Sequence, residues 1–160
     1  MDLAAFNALP DDKAERALLA CCESRAWARA VRSGRPYADR TALLDAAQRA
    51  VDGLAEEDVD EALVGHPRIG ERSTAGASRG EQAGVDTEDA ELARALAEGN
   101  RAYEERFGHV YLVCASGRSG RELLAVLQGR LRNDPATERV VVRRELAKIN
   151  ALRLEGMVHQ

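Results

Sequence analysis

Apolar residues recur at three- and four-residue intervals along most of this chain, the spacing that gathers them on one face of an α-helix. After the turn signal at Pro10-Asp11, Ala14, Ala17, Leu18 and Cys21 share such a face. A second short helix is expected over Ser24–Val31, anchored by Trp27 and finished by Gly34, with "SGRPY" as loop. Helix restarts near Thr41, where Leu43, Leu44, Ala47 and Val51 form a stripe. "EEDVDEALVG" reads as one more short helix, its acids at the end that the helix dipole favours for negative charge.

The pattern then breaks from Gly65 to about Asp86, where "STAGASRGEQAGV" is rich in Gly, Ala and Ser. A loop of that length inside a compact domain is usually functional or disordered, and the flanking helices argue against pure disorder. Helix resumes with Asp86 or Thr87 as N-cap and runs about five turns to Gly108, with Ala90, Leu92, Ala93, Leu96 and Tyr103 on its inner face. "HVYLVCA" is apolar and β-prone but has no evident partner strand, so buried extended chain is expected. "SGRE" at Ser119–Glu122 has the capping-box pattern and opens a helix through Arg132. Asp134-Pro135 starts the last and longest helix, ending near Gly156. There is no repeat and no linker. The expectation is an all-α fold: a single-domain helical bundle over residues 1–160, with one long central loop forming a cleft.

Composition supports this. Of 160 residues, 45% are hydrophobic, 31% charged and 4% aromatic, which is a globular, helix-favouring balance. The formal net charge of −4 argues against a dedicated nucleic-acid binder. No apolar run approaches the roughly 20 residues that cross a bilayer, so no membrane partner is expected. "MDLAAFNALPDDKAER" lacks the basic and apolar regions of a secretory signal. Cys21, Cys22 and Cys114 show no framework spacing, which fits a reducing cytoplasm and small buried hydrophobes.

Candidate chemistry is confined to few places. His159 sits at a terminus expected to fray, and His109 follows a helix end, where capping or packing explains it. His66 differs, because Pro67 biases it away from helical geometry and the loop that follows is polar. A packed histidine and a catalytic one both fit. "SRGEQ" places Ser78, Glu81 and Gln82 within one turn, readable as a capping box or as a polar cluster facing a small substrate. "ASGRSGRE" is neither a nucleophile elbow nor a phosphate loop, although a Gly/Ser-rich helix start can hold an anion. No His/Cys/Asp spacing matches a metal site. Arg153 by itself reads as a surface or ion-pair residue.

Taken together, "GHPRIGE", "SxxEQxG", "RFGHVYLVCASGRS", "ELLAVLQGRLRND" and "ELAKINALRL" resemble the 2-oxo-4-hydroxy-4-carboxy-5-ureidoimidazoline (OHCU) decarboxylase family, over most of the chain from "FNALP" to Arg153-Leu154. The family's reaction ends the conversion of urate to S-allantoin. The resemblance implies an all-α fold, a homodimer, a small-molecule ureidoimidazoline substrate, and neither metal nor organic cofactor. Carried over residue by residue, it implies that His66 is the catalytic histidine and Glu81 its acidic partner. Ser78, Gln82 and Arg153 fall at substrate-holding positions, Pro67 lies beside the substrate, and backbone around Val113 bonds it. At His109-Val110-Tyr111 the chain departs from relatives that carry aromatic or Pro residues after Phe-Gly, which concerns the pocket wall more than the chemistry. The chain ends in "MVHQ" rather than a peroxisomal "SKL", consistent with a cytoplasmic location.

These residue types suit the chemistry. Histidine handles protons near neutral pH, and a nearby carboxylate can orient it. Gln82 and Arg153 bring planar donors matched to a ureido group or a carboxylate. Two other readings remain open: a non-enzymatic helical adaptor that docks a partner through the Gly65–Asp86 loop, and a lyase or hydrolase for a related ureido compound. The loop offers only Ile69 and Val85 as apolar anchors, which counts against the adaptor.

Overall fold

A computed structural model of the chain describes residues 1–70 and 90–159. Among the described residues there are eight α-helices and, apart from an isolated bridge between Asp2 and His159, no β-structure. In chain order they are α1 (Leu3–Ala8), α2 (Asp11–Cys21), α3 (Arg25–Ser33), α4 (Arg40–Asp52), α5 (Glu56–Val64), α6 (Ala90–Phe107), α7 (Gly120–Arg130) and α8 (Pro135–Met157). The all-α expectation holds. By their internal contacts, residues form two compact units, Met1–Gly65 with Leu146–Gln160, and His66–Glu145.

In the first unit the caps explain the boundaries. Ser24 Oγ accepts from Trp27 N–H at 3.2 Å and starts α3, and Asp39 Oδ1 accepts from Ala42 N–H at 2.8 Å and starts α4. Phe6, Leu18, Trp27, Val31, Leu43, Val51, Val59 and Leu154 are buried together with Ala14 and Ala47. Ala17 and Leu44, expected on the inner faces, are only half buried because they lie at the edges of their stripes. The Trp27 indole donates to the Ala47 carbonyl at 3.1 Å, so the largest side chain of the unit is hydrogen-bonded as well as packed. The periodicity did not reveal α1, a six-residue helix whose only buried residue is Phe6. Arg35 closes its end, donating to the Phe6 and Leu9 carbonyls at 2.9 and 2.8 Å. Nor does His159 fray: its N–H donates to the Met1 carbonyl at 2.8 Å, and the Met1 amino group donates to the Met157 carbonyl at 2.9 Å.

The second unit packs α6 against α7 around Ile69, Leu92, Leu96, Tyr103, Tyr111, Val113, Ala115, Leu123 and Leu127. A Cβ on Gly99 would lie 2.5 Å from Leu127 Cδ2, so the two helices come this close only because residue 99 has no side chain. Leu92, Leu96 and Tyr103 face inward as expected, while Ala93 is half buried and Ala90 is exposed; the buried polar Asn100 lies on the inward face instead. The expected N-caps Asp86 and Thr87 lie outside the described residues. Gly108, with φ +79°, ends α6 and donates its N–H to the Glu104 carbonyl at 2.8 Å.

Residues 110–115 belong to neither helix nor strand, and no strand partner lies beside them among the described residues, as anticipated. Ser119 Oγ accepts from Glu122 N–H at 3.2 Å and opens α7. That helix ends at Arg130 rather than Arg132, because the chain tightens into i→i+3 bonds, Arg132 N–H to Gly129 O and Asn133 N–H to Arg130 O. Asp134 Oδ1 then accepts from Thr137 N–H at 2.7 Å and caps α8.

Candidate active site

His66 and Pro67 follow directly on Gly65, the residue that closes α5. Both are half buried and non-helical, so the imidazole leaves from backbone that the helix no longer constrains. Beyond them, Arg68 forms a two-pronged ion pair with Glu104, at 2.7 and 3.2 Å, and Ile69 enters the core. The Ile69 carbonyl accepts from Asn100 Nδ2 at 3.0 Å. An inserted side chain and a backbone bond thus tether the segment that carries His66.

Val113 lies in the same unit, on the non-helical segment between α6 and α7, and is 4% exposed. Its neighbours are tied on both sides. The Leu112 carbonyl accepts from Arg130 Nη1 at 2.6 Å, and the Cys114 N–H donates to Glu145 Oε1 at 3.4 Å. The Val113 peptide groups make no hydrogen bond among the described residues.

Arg130 belongs to a buried network. Its Nε donates to Glu138 Oε1 at 2.7 Å, and its guanidinium lies 4.9 Å from the centre of the Tyr111 ring. Tyr103 Oη also donates to Glu138 Oε1, and Asn133 Nδ2 donates to Oε2 at 3.0 Å. Burial works against the Arg130 charge, but the hydrogen bonds and attraction of Glu138 outweigh it and raise the pKa above its ordinary value. Burial pushes the phenols of Tyr103 and Tyr111 well above their usual range, and at Tyr103 the bond to Glu138 adds to the effect.

Arg153 lies in the other unit, half buried on the second half of α8, where Nη1 donates to the Cys21 carbonyl at 2.9 Å. One turn earlier sits Asn150, 1% exposed, with neither amide atom hydrogen-bonded. The neighbouring Cys22 thiol is held above its usual pKa by burial, so it behaves as a packed hydrophobe rather than a nucleophile. Cys21 is buried and Cys114 half buried.

Ser78, Glu81 and Gln82 lie outside the described residues. His109 behaves as a packing residue: Nδ1 donates to the Val110 carbonyl at 3.0 Å, and its ring meets Tyr103 edge-on, with centroids 5.5 Å apart. Arg130, Glu138, Glu145 and Asn150 were absent from the sequence-derived candidates. The one available signal was four polar residues placed where helical periodicity demands burial. Among the described residues no group of three or more His, Cys, Asp or Glu could hold a metal ion, and no helix is long and apolar enough to cross a membrane.

The all-helical fold defines a class that solved structures contain. A crystal structure titled as an OHCU decarboxylase in the presence of (S)-allantoin superposes with TM-score 0.76 at 28% identity, covering 93% of this chain and 98% of that one. An (S)-allantoin synthase structure shares the fold, with TM-score 0.76 at 19% identity, covering 99% of this chain and 54% of that one. The OHCU decarboxylase family model matches residues 7–155, and the chain belongs to that family.

Named relatives agree. An OHCU decarboxylase of Amia calva is 35% identical over 138 residues, covering 82% of this chain and 79% of that protein. One of Haloferax volcanii is 30% identical over 160 residues, covering 96% and 94%. The uric acid degradation bifunctional protein TTL of Arabidopsis thaliana is 31% identical over 142 residues, 84% of this chain. The matched region spans only 44% of that plant protein.

Proposed function

We propose that this chain is a carboxy-lyase that decarboxylates OHCU to S-allantoin without a cofactor. The observation that carries the reading is the family match across residues 7–155, with His66-Pro67 placed at the break after α5. In the substrate, one ring carbon bears both the carboxylate and a hydroxyl, beside a ring C=N. Breaking the C–CO₂ bond sends its electron pair into a new ring C=C, while the imine nitrogen takes up a proton. The hydroxyl then gives up its proton to become the carbonyl of allantoin, and a proton is delivered to the neighbouring carbon. The face that receives it sets the S configuration. The substrate itself accepts the electrons, so the protein's work is orientation and proton handling.

In this reading His66 moves the hydroxyl proton and Glu81 orients the imidazole or bonds the substrate. Arg153 and Gln82 grip carboxylate or ureido groups through planar donors, with Ser78 adding a hydroxyl. Pro67 walls the site, and the Val113 peptide groups, which make no hydrogen bond among the described residues, bond the ring. The match from residue 7 to residue 155 also supports one catalytic domain over the whole chain. A cytoplasmic homodimer completes the proposal, testable by sedimentation and by cell fractionation. The decisive experiment supplies freshly generated OHCU and follows S-allantoin by circular dichroism. An enantiomeric excess above the slow racemic background is expected, and its absence refutes the activity.

A further inference from the structure

We infer that Arg130 and Glu145 are positioning residues for this reaction, holding the backbone on either side of Val113 so that its peptide groups stay presented to the substrate. The inference rests on the decarboxylase reading and deepens it.

The accounting of backbone groups carries the argument. A buried N–H or C=O without a partner costs free energy, so native chains rarely leave one unpaired. Along residues 111–115 three backbone groups and one side chain are tied. Tyr111 is anchored by its hydroxyl, which donates to the Leu123 carbonyl at 3.0 Å. The Leu112 carbonyl takes Arg130 Nη1 at 2.6 Å, the Cys114 N–H reaches Glu145, and the Ala115 carbonyl accepts from Arg118 N–H at 3.1 Å. Val113, equally buried, has no such tie among the described residues. A non-helical segment with no strand partner among the described residues has no ladder to hold it at a constant depth. Here side chains from α7 and α8 replace the ladder.

Arg130 suits this role because Glu138, which lies outside the segment, holds its guanidinium. Glu138 is 1% exposed and bonds Arg130, Tyr103 and Asn133 together, so the guanidinium has one available geometry. Two of its nitrogens serve Glu138 and the third serves Leu112. A buried ion pair is weak evidence for a contribution to stability, since apolar residues of similar volume often replace one without loss. That property lets position and stability be separated by experiment.

The test compares wild type with Arg130→Met/Glu138→Leu/Tyr103→Phe, which removes the buried charges and the phenol they satisfy. Alongside it go Glu145→Ala and Glu145→Gln, of which only Gln keeps an acceptor for the Cys114 N–H. For each protein, kcat and KM on OHCU, the thermal midpoint and the ¹⁵N–¹H signal of Val113 during S-allantoin titration are measured. The apolar triple variant is expected to melt cooperatively near the wild-type midpoint, yet lose about ten- to hundredfold in kcat/KM, the scale of a small misplacement. Glu145→Ala is expected to lose activity in the same way and Glu145→Gln to recover most of it. The Val113 amide should shift on S-allantoin binding in wild type and respond weakly in the two impaired proteins.

If the triple variant fails to fold, the Glu145 pair decides the matter. Wild-type kcat/KM in Glu145→Ala overturns the inference, as does a Glu145→Gln protein as impaired as the Ala variant. A Val113 amide indifferent to bound S-allantoin also overturns it. These outcomes leave the decarboxylase reading standing if wild type still turns over OHCU. Wild type that neither converts OHCU nor binds S-allantoin removes both.

Discussion

Arg153 Nη1 donates to the carbonyl of Cys21, the last residue of α2, at 2.9 Å. Helix-end carbonyls lack intrahelical partners, and a guanidinium there satisfies one of them while facing the negative end of the helix dipole. The arginine proposed to grip the substrate is therefore braced by the helix that it caps.

Arg153→Lys keeps the positive charge but loses the planar fork and shortens the reach to Cys21. A charge-assisted hydrogen bond is worth about 1.5–3 kcal/mol, so kcat/KM should fall about ten- to hundredfold, with a small drop in thermal midpoint. Steady-state kinetics on OHCU check this, and unchanged constants would return Arg153 to a purely structural role.

His66→Ala should lose about 10²–10⁴-fold in turnover with its helical circular-dichroism signal and melting midpoint nearly unchanged. The reason is that a half-buried side chain outside any helix contributes little core volume. Unfolding of the variant would show that His66 is a packed structural histidine.

His66 and Glu81 should act as a unit. In the proposed mechanism the imidazole without its carboxylate is poorly oriented, and the carboxylate without the imidazole has nothing to assist. The double variant His66→Ala/Glu81→Ala is accordingly expected to be scarcely slower than the worse single variant, as residues acting together are non-additive. A loss equal to the product of the two single losses would assign Glu81 an independent binding role.

Alkaline stability should reflect the buried phenols of Tyr103 and Tyr111. Both are held above the ordinary tyrosine value of 10.0, by burial and, at Tyr103, by the Glu138 bond. Above that pH the unfolded chain loses phenolic protons that the folded chain retains, so the folded state loses relative stability as pH rises. Below pH 10 the two states bind these protons alike and the contribution is constant. Urea midpoints measured from pH 8 to pH 11 should decline at the upper end, and Tyr103→Phe/Tyr111→Phe should flatten that decline.

Turnover should persist in excess chelator and without any added cofactor, because the ring C=N of the substrate receives the electrons released with carbon dioxide. Activity lost on chelation and restored by a single metal ion would contradict the proposed mechanism.

Much of this architecture was legible in order along the chain. Ser119 and Asp134 each cap the helix that their position announced, Ser24 caps α3 rather than lying within it, and Trp27 anchors that helix as expected. The break at Gly65-His66-Pro67 was equally plain, since proline acts on the residue before it and needs no distant partner. Helix α1 leaves no periodic mark in the sequence, because its only buried residue is Phe6. Ala90 was placed inward and lies exposed, because an alanine at a stripe edge is too small to decide which way its helix turns.

The sequence by itself determined most of the helices after α1, the caps at Ser119 and Asp134, the helix break that bears His66 and the family pattern, because each is written in residues a few positions apart. Only the tertiary structure decided the partners of the buried polar groups. Arg130 and Glu138, eight residues apart, straddle the end of one helix and the start of another, and the Leu112 carbonyl they help to hold lies on a third segment. Arg153 meets Cys21 across 132 positions. A charged residue in a helical stripe reads as surface until a partner is known, and long-range contacts assign that partner.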